Sequence, residues 1–125
     1  MLRRNLWLVL CVAMIPACRT RLNDERTVNL DPAKTVTLRI EPVNREQKVK
    51  VEAKSAEIPF DLYIYLKEDE LEAEKNINLR KKDKILEQKT KTQEAALEVT
   101  IPAQKAGIVR LYSGKKTAVT VKMTN

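Results

Sequence analysis

Residues 60–66 read Phe60-Asp61-Leu62-Tyr63-Ile64-Tyr65-Leu66, which is the most apolar alternating stretch after the N-terminal segment. Alternate side chains of a β-strand point to opposite faces of a sheet, so Phe60, Leu62, Ile64 and Leu66 share one apolar face. Tyr63 and Tyr65 lie on the other face and make it partly apolar too. Apolar residues on both faces are typical of a strand that is covered on both faces, as in the middle of a sheet. We therefore predict a central strand over residues 60–66.

Four further segments alternate apolar and polar residues with the same period of two. They cover residues 34–40, 47–53, 96–101 and 117–123. Strand breakers lie between them, namely Pro32, Pro42, Pro59, Pro102 and the turn Ser113-Gly114-Lys115. Short alternating strands at this spacing predict an all-β fold: a small antiparallel β-sandwich, jelly-roll-like, with about seven to nine strands over residues 27–125.

Residues 67–84 break this pattern, because they are rich in Glu and Lys. We expect a charged insertion on the sandwich that is partly helical, with one or two helical turns over residues 68–74. Residues 76–79 are interpreted as a short edge strand, and residues 80–84 (RKKDK) as a charged turn that leads to Ile85.

The N-terminal segment has the parts of a secretory signal. Residues 1–4 carry two arginines, residues 6–17 form an unbroken apolar run, and Ala17 supplies a small residue before Cys18. An uncleaved membrane span is the competing interpretation, but a spanning helix needs roughly 20 apolar residues, and Pro16 would break a helix near the end of this run. We therefore predict a signal peptide over residues 1–17 and an exported protein.

The stretch Ile15-Pro16-Ala17-Cys18 resembles the lipobox of bacterial lipoproteins. The resemblance implies cleavage between Ala17 and Cys18, lipidation of Cys18, and attachment to a membrane of the bacterial cell envelope through that lipid anchor. The absence of Asp after Cys18 favours the outer membrane in bacteria that sort lipoproteins by this rule. Residues 18–26 are then the lipidated N-terminus and a polar tether. A plain secretory signal with a chance cysteine is the alternative.

Composition excludes several kinds of site. The chain contains no histidine, and Cys18 is the single cysteine left after cleavage. Metal sites built on His or Cys ligands and nucleophilic sites with a His base are therefore excluded. Loss of Arg3 and Arg4 with the signal lowers the formal charge from +7 to +5, a mild bias towards anionic surfaces. We predict no enzyme activity, no cofactor and no metal.

The folded part also resembles the small β-sandwich modules of the bacterial pre-peptidase C-terminal and GOLD-like kind. The resemblance rests on residues 60–66, on the run Leu97-x-Val99-x-Ile101-Pro102-Ala103, on Gly107 with the apolar strand after it, and on residues 114–117 with the closing strand. It implies a non-catalytic accessory, binding or secretion-associated domain. Clustered Asp and Asn are missing from the loops, so the calcium binding of some relatives is not expected here.

A candidate binding surface combines two aromatic and four basic residues. It consists of Tyr63, Tyr65, Arg80, Lys81, Lys82 and Lys84. Paired tyrosines can stack on sugars or anchor a peptide, and clustered cations attract polyanions. The alternatives are packing on the second face of the sheet for the tyrosines and a solvated surface for the cations. Asp61 is interpreted as a structural hydrogen-bond acceptor, and Glu68, Asp69 and Glu70 as a solvated turn.

Two functional hypotheses follow from these features. The first is a lipid-anchored envelope protein that presents a non-catalytic β-sandwich for binding another protein or a surface polymer. The alternative is a structural or adhesive surface component, held to anionic glycan or lipid by its basic residues. A nucleic-acid partner is not expected, because stacking platforms set aromatics in a basic groove and no tryptophan remains after cleavage.

Overall fold

A computed structural model describes residues 22–125. Eight strands form two four-stranded sheets in which every strand pair is antiparallel. The strands are β1 (Asn23–Leu30), β2 (Val36–Ile40), β3 (Gln47–Ser55), β4 (Phe60–Leu66), β5 (Glu87–Thr92), β6 (Glu94–Ile101), β7 (Gly107–Tyr112) and β8 (Thr117–Thr124). One sheet has the order β1-β8-β3-β6 and the other has the order β2-β7-β4-β5. This is the strand order of a two-sheet jelly roll. The predicted all-β sandwich is confirmed.

The core lies between the inner faces of the two sheets. Val49, Val51 and Ala53 of β3 alternate with exposed or half-exposed residues, and Phe60, Leu62 and Ile64 of β4 face them from the other sheet. All six side chains are at most 2% exposed. β4 lies between β7 and β5, as predicted for a central strand. The period of two in the sequence therefore corresponds to core and solvent faces.

Strand β1 begins at Asn23, which differs from the predicted tether over residues 18–26 and from the predicted domain start at residue 27. Its first inward positions carry Asp24 and Arg26, which form an ion pair with a 2.6 Å N–O distance. The apolar alternation is therefore missing from this half of the strand, although its backbone pairs with β8 from Asn23 onward. Ala17, Cys18 and residues 1–17 lie outside the described residues.

The charged insertion contains a 3-10 turn, Lys67–Asp69, followed by helix α1, Glu70–Asn78. The expected helical turns are present, but the predicted edge strand over residues 76–79 is wrong. Residues 76–78 continue the helix because Ala73 and Asn76 are buried on one side of it, three residues apart. The edge strand next to β4 is instead β5, whose sequence EQKTKT has no apolar residue.

Candidate functional site

Helix α1 packs on the outer face of the sheet that contains β4. It covers a second, smaller apolar cluster of Tyr65, Ala73 and Ile108, with Tyr63, Ile77 and Ile85 packed at its edge. Tyr65 is fully buried, so its prediction as part of a binding surface is wrong, and its role is packing on the second face of the sheet. Its hydroxyl donates to Glu74 Oε2 at 3.2 Å. Burial, then the Glu74 carboxylate, raise the pKa of Tyr65 well above 10.0.

The loop that follows α1 is fixed by hydrogen bonds to the end of the helix. Asn76 is buried, and its side-chain Nδ2 donates to the carbonyl of Asp83 at 2.7 Å. The backbone N–H of Lys81 donates to the Asn76 carbonyl at 2.8 Å, and that of Arg80 to the Ile77 carbonyl at 3.1 Å. Arg80 has a φ of 59°, a left-handed conformation that ends the helix. The backbone that carries the cations of residues 80–82 is therefore held in one place.

Across from this loop, the pairing of β4 with β5 is irregular. The strand register shifts between Phe60 and Leu62, because β5 has a bulge in which Thr90 and Lys91 together lie opposite Asp61. Asp61 Oδ1 accepts the backbone N–H of Lys91 at 2.8 Å, and Lys91 has a φ of 51°. The structural role predicted for Asp61 is thus present, since its carboxylate fixes the backbone of the neighbouring edge strand.

Between the loop and the bulge lies a cavity of about 330 Å³ that is open to solvent, here called the basic pocket. Its walls consist of Asp61, Tyr63, Ile77, Arg80, Lys81, Lys82, Gln88, Thr90 and Lys91. Four of these side chains are cationic and one is anionic, so the pocket has a positive potential. Concave walls concentrate such a potential and attract anionic groups.

Arg110 adds a further positive charge beside the basic pocket. It is the cross-strand neighbour of Tyr63 on β7. Its Nε and Nη1 atoms are buried, and within residues 22–125 neither has a hydrogen-bond partner. Desolvation, then the Asp61 carboxylate, raise the pKa of Tyr63, whereas the positive charges of Arg110 and Arg80 oppose that rise. Tyr63 therefore stays neutral at physiological pH, between cations on two sides.

Four of the six predicted surface residues come together in this pocket: Tyr63, Arg80, Lys81 and Lys82. Lys84 lies further along the same loop and does not line the pocket. The candidate surface predicted from the sequence did not include Ile77, Gln88, Thr90 or Lys91. A bulge in β5 brings Lys91 to the pocket. The sequence does not reveal this strand, because β5 is polar throughout and has no alternation of apolar and polar residues.

A second depression, about 710 Å³ in volume, lies on the outer face of the other sheet. It is wide and shallow, and its charged residues alternate in sign from strand to strand. Glu25, Lys122 and Glu52 form one cross-strand row, and Lys54 pairs with Glu94 in the next. Such pairing compensates charge across the sheet. This face has the character of a solvated sheet surface.

The acidic triplet Glu68, Asp69 and Glu70 lies where the 3-10 turn meets α1. Glu68 pairs with Lys105 and Glu70 pairs with Lys67, each with an N–O distance of 2.5 Å. Within residues 22–125, no three or more His, Cys, Asp or Glu side chains are placed so that they could hold a metal ion.

No helix in the same range is long and apolar enough to cross a membrane.

Comparison with known proteins informs the fold. No protein-family model matches the chain, and no curated protein sequence matches it. Among solved structures, the crystal structure of the Yersinia pseudotuberculosis-derived mitogen is similar, with a TM-score of 0.57 at 9% sequence identity. The match covers 82% of this chain and 85% of the mitogen chain. At this identity the likeness shows a shared β-sandwich architecture and nothing about activity.

Proposed function

We propose that this chain is an exported, lipid-anchored protein of the bacterial cell envelope whose sandwich binds an anionic surface polymer through the basic pocket. The observation that carries the proposal is the grouping of Tyr63 with four cationic side chains around one cavity. The lipobox-like residues 15–18 support the anchor, and the absence of histidine supports a non-catalytic module. In this proposal the polymer, not a small diffusible substrate, is the partner.

A polymer fits the pocket better than a single free anion for an electrostatic reason. Exposed cations interact weakly with one charge at physiological ionic strength, since the Debye length is about 8 Å. A chain with repeated charges engages several cations at once, and the second and later contacts form at high effective concentration. Arg80, Lys81, Lys82 and Lys91 lie on two walls of one open cavity, which suits such a chain.

A protein partner is the second candidate, and exposed apolar residues favour it. Leu71 is 88% exposed on α1, and Leu79 is 52% exposed at the start of the loop that carries the cations. A protein partner that covered both leucines would remove this apolar surface from water. Saturable crosslinking to one protein in intact cells, together with no binding to anionic polymer, would favour this candidate.

The test compares two triple variants with equal loss of charge. The first replaces Arg80, Lys81 and Lys82 by Ala. The second, as a control, replaces Lys48, Lys50 and Lys54 by Ala. These three lysines are exposed on β3, on the outer face of the sheet that does not carry the pocket. Binding of the full-length protein, in non-ionic detergent, to immobilised polygalacturonate is measured at several salt concentrations.

The proposal predicts at least about a tenfold loss of affinity in the first variant and less than about a threefold loss in the control. Rising salt is expected to weaken binding of the unmodified protein and to reduce the difference in affinity between it and the first variant. Equal losses in both variants would show that net charge alone attracts the polymer. No binding by the unmodified protein would overturn the proposal.

A further inference from the structure

We propose that the basic pocket receives one acidic sugar unit of the polymer. Its anionic group lies at Arg80, Lys81 and Lys82, its hydroxyls lie at Asp61, and its ring lies against Tyr63. This inference rests on the proposed function, because it names the ligand chemistry of the same pocket. It goes further by assigning separate tasks to the two walls.

The size of the pocket limits the ligand. A cavity of about 330 Å³ is at the small end of the range for small-molecule sites, roughly 300–1,000 Å³. It has room for one sugar ring with its substituents. Because the cavity opens to solvent, the neighbouring units of a chain can continue outside it.

The carboxylate of Asp61 distinguishes this pocket from a simple anion site. An acidic side chain does not raise the affinity of a site for a bare anion, since like charges repel. It does raise the affinity for a ligand with hydroxyl groups, because a carboxylate accepts hydrogen bonds from them. Asp61 Oδ1 already accepts the Lys91 N–H, and an ionised carboxylate has about four acceptor positions, so capacity remains. Gln88 and Thr90 add neutral donors and acceptors on the same side.

Tyr63 supplies an apolar surface between the two walls. It is half-buried, lies on a central strand and lines the cavity. The C–H faces of a sugar ring pack well on an aromatic ring, which is amphipathic in the same way. Tyr112, the other half-buried tyrosine on this sheet face, pairs with Asp61 across the strands but does not line the pocket.

Hydrogen bonds within the protein hold both walls in their conformations. Arg80 and Lys91 have left-handed backbone conformations, which are uncommon outside glycine. The Asn76 to Asp83 hydrogen bond fixes the loop of Arg80, and the Asp61 to Lys91 hydrogen bond fixes the edge strand. A pocket prepared in this way loses little conformational entropy on binding.

The experiment is a titration of the full-length protein in non-ionic detergent. Binding is monitored through the NMR shifts of the Arg80, Lys81 and Lys82 amides. Methyl glucuronide, methyl glucoside and sodium acetate are compared at constant ionic strength. We expect the glucuronide to bind at least about ten times more tightly than either other probe. Tyr63→Leu is expected to weaken glucuronide binding about tenfold and to leave acetate binding unchanged, whereas the control Tyr112→Leu leaves both unchanged.

The outcomes separate this inference from the proposed function. Acetate binding as tight as glucuronide binding would overturn the sugar assignment and leave polymer binding intact. Polygalacturonate binding without any glucuronide binding would do the same. Loss of acetate binding in Tyr63→Leu would overturn the role of Tyr63, because the substitution would then have disturbed the cationic wall. If neither sugar nor polymer binds, both proposals fail.

Discussion

At the scale of single residues, Tyr65 joins the sheet to α1 by packing and by one hydrogen bond. Tyr65→Phe keeps the ring and removes the hydroxyl that donates to Glu74. We expect a loss of about 1 kcal/mol in the free energy of unfolding at pH 7, the ordinary net value of such a bond. Urea denaturation of both proteins measures it.

The same pair of proteins tests the raised pKa of Tyr65. The folded state holds the Tyr65 proton more tightly than the unfolded chain, in which the pKa is near 10.0. Stability from this group is therefore complete below about pH 10 and is lost as the pH rises towards the folded-state pKa. The advantage of the unmodified protein over Tyr65→Phe should shrink above about pH 10. A difference that stays constant from pH 7 to 11 would contradict this account.

Gly107 is a residue at which an added methyl group would crowd two isoleucines of the core. A Cβ at this position would lie 2.7 Å from Ile101 Cδ1 and 3.3 Å from Ile40 Cδ1. Gly107→Ala should cost about 1–2 kcal/mol of unfolding free energy through overpacking. Gly114→Ala is the matched control, since no atom lies within 4 Å of its added Cβ. Equal unfolding midpoints for the two variants would show that the contact is not as tight as described.

At the scale of elements, α1 and the loop after it act as one unit through Asn76. Asn76→Ala removes the hydrogen bond to Asp83 and should cost about 1–2 kcal/mol of unfolding free energy. It should also weaken polymer binding, although Asn76 does not line the pocket, because Arg80, Lys81 and Lys82 lose their fixed positions.

The exposed Asn78 in the last turn of α1 provides the control for this prediction. Asn78→Ala should change stability by less than about 0.5 kcal/mol and leave polymer binding unchanged. The polymer affinity and the free energy of unfolding are measured for both variants. Full affinity in Asn76→Ala would mean that the loop does not need this anchor.

The elements also show why sequence reasoning succeeded in some places and failed in others. The bounds of β4 follow from its alternation, because one face of the strand fills the core. β5 was missed, since an edge strand of polar residues leaves no period of two in hydrophobicity. The site was partly predicted because Arg80, Lys81 and Lys82 are adjacent in sequence. Lys91 joins them only through strand pairing and a bulge, which local patterns do not reveal.

At the scale of the whole molecule, the start of β1 limits the distance between sandwich and membrane. The backbone N–H of Leu22 donates to Asn125 Oδ1 at 2.7 Å, so the chain is already held against the domain there. Only residues 19–21 separate Leu22 from Cys18. This link spans at most about 14 Å when fully extended. A lipid at Cys18 would therefore hold this end of the sandwich close to the membrane surface.

The anchor itself is tested by Cys18→Ser. Each methylene of a buried acyl chain contributes about 0.8 kcal/mol of membrane affinity, so loss of the lipid should move the protein from the membrane fraction to the soluble fraction. Fractionation of cells that express either form measures this. A variant that stays with the membrane would contradict lipidation at Cys18.

If the basic pocket binds the polymer, the footprint of the polymer on the protein should centre on the pocket. Amide NMR shifts of the full-length protein are recorded as short polygalacturonate oligomers are added. We expect the largest shifts at Tyr63, Lys91 and residues 80–82, with none on the face that carries Glu52 and Lys122. Shifts centred on that opposite face, or spread evenly over the surface lysines, would contradict it.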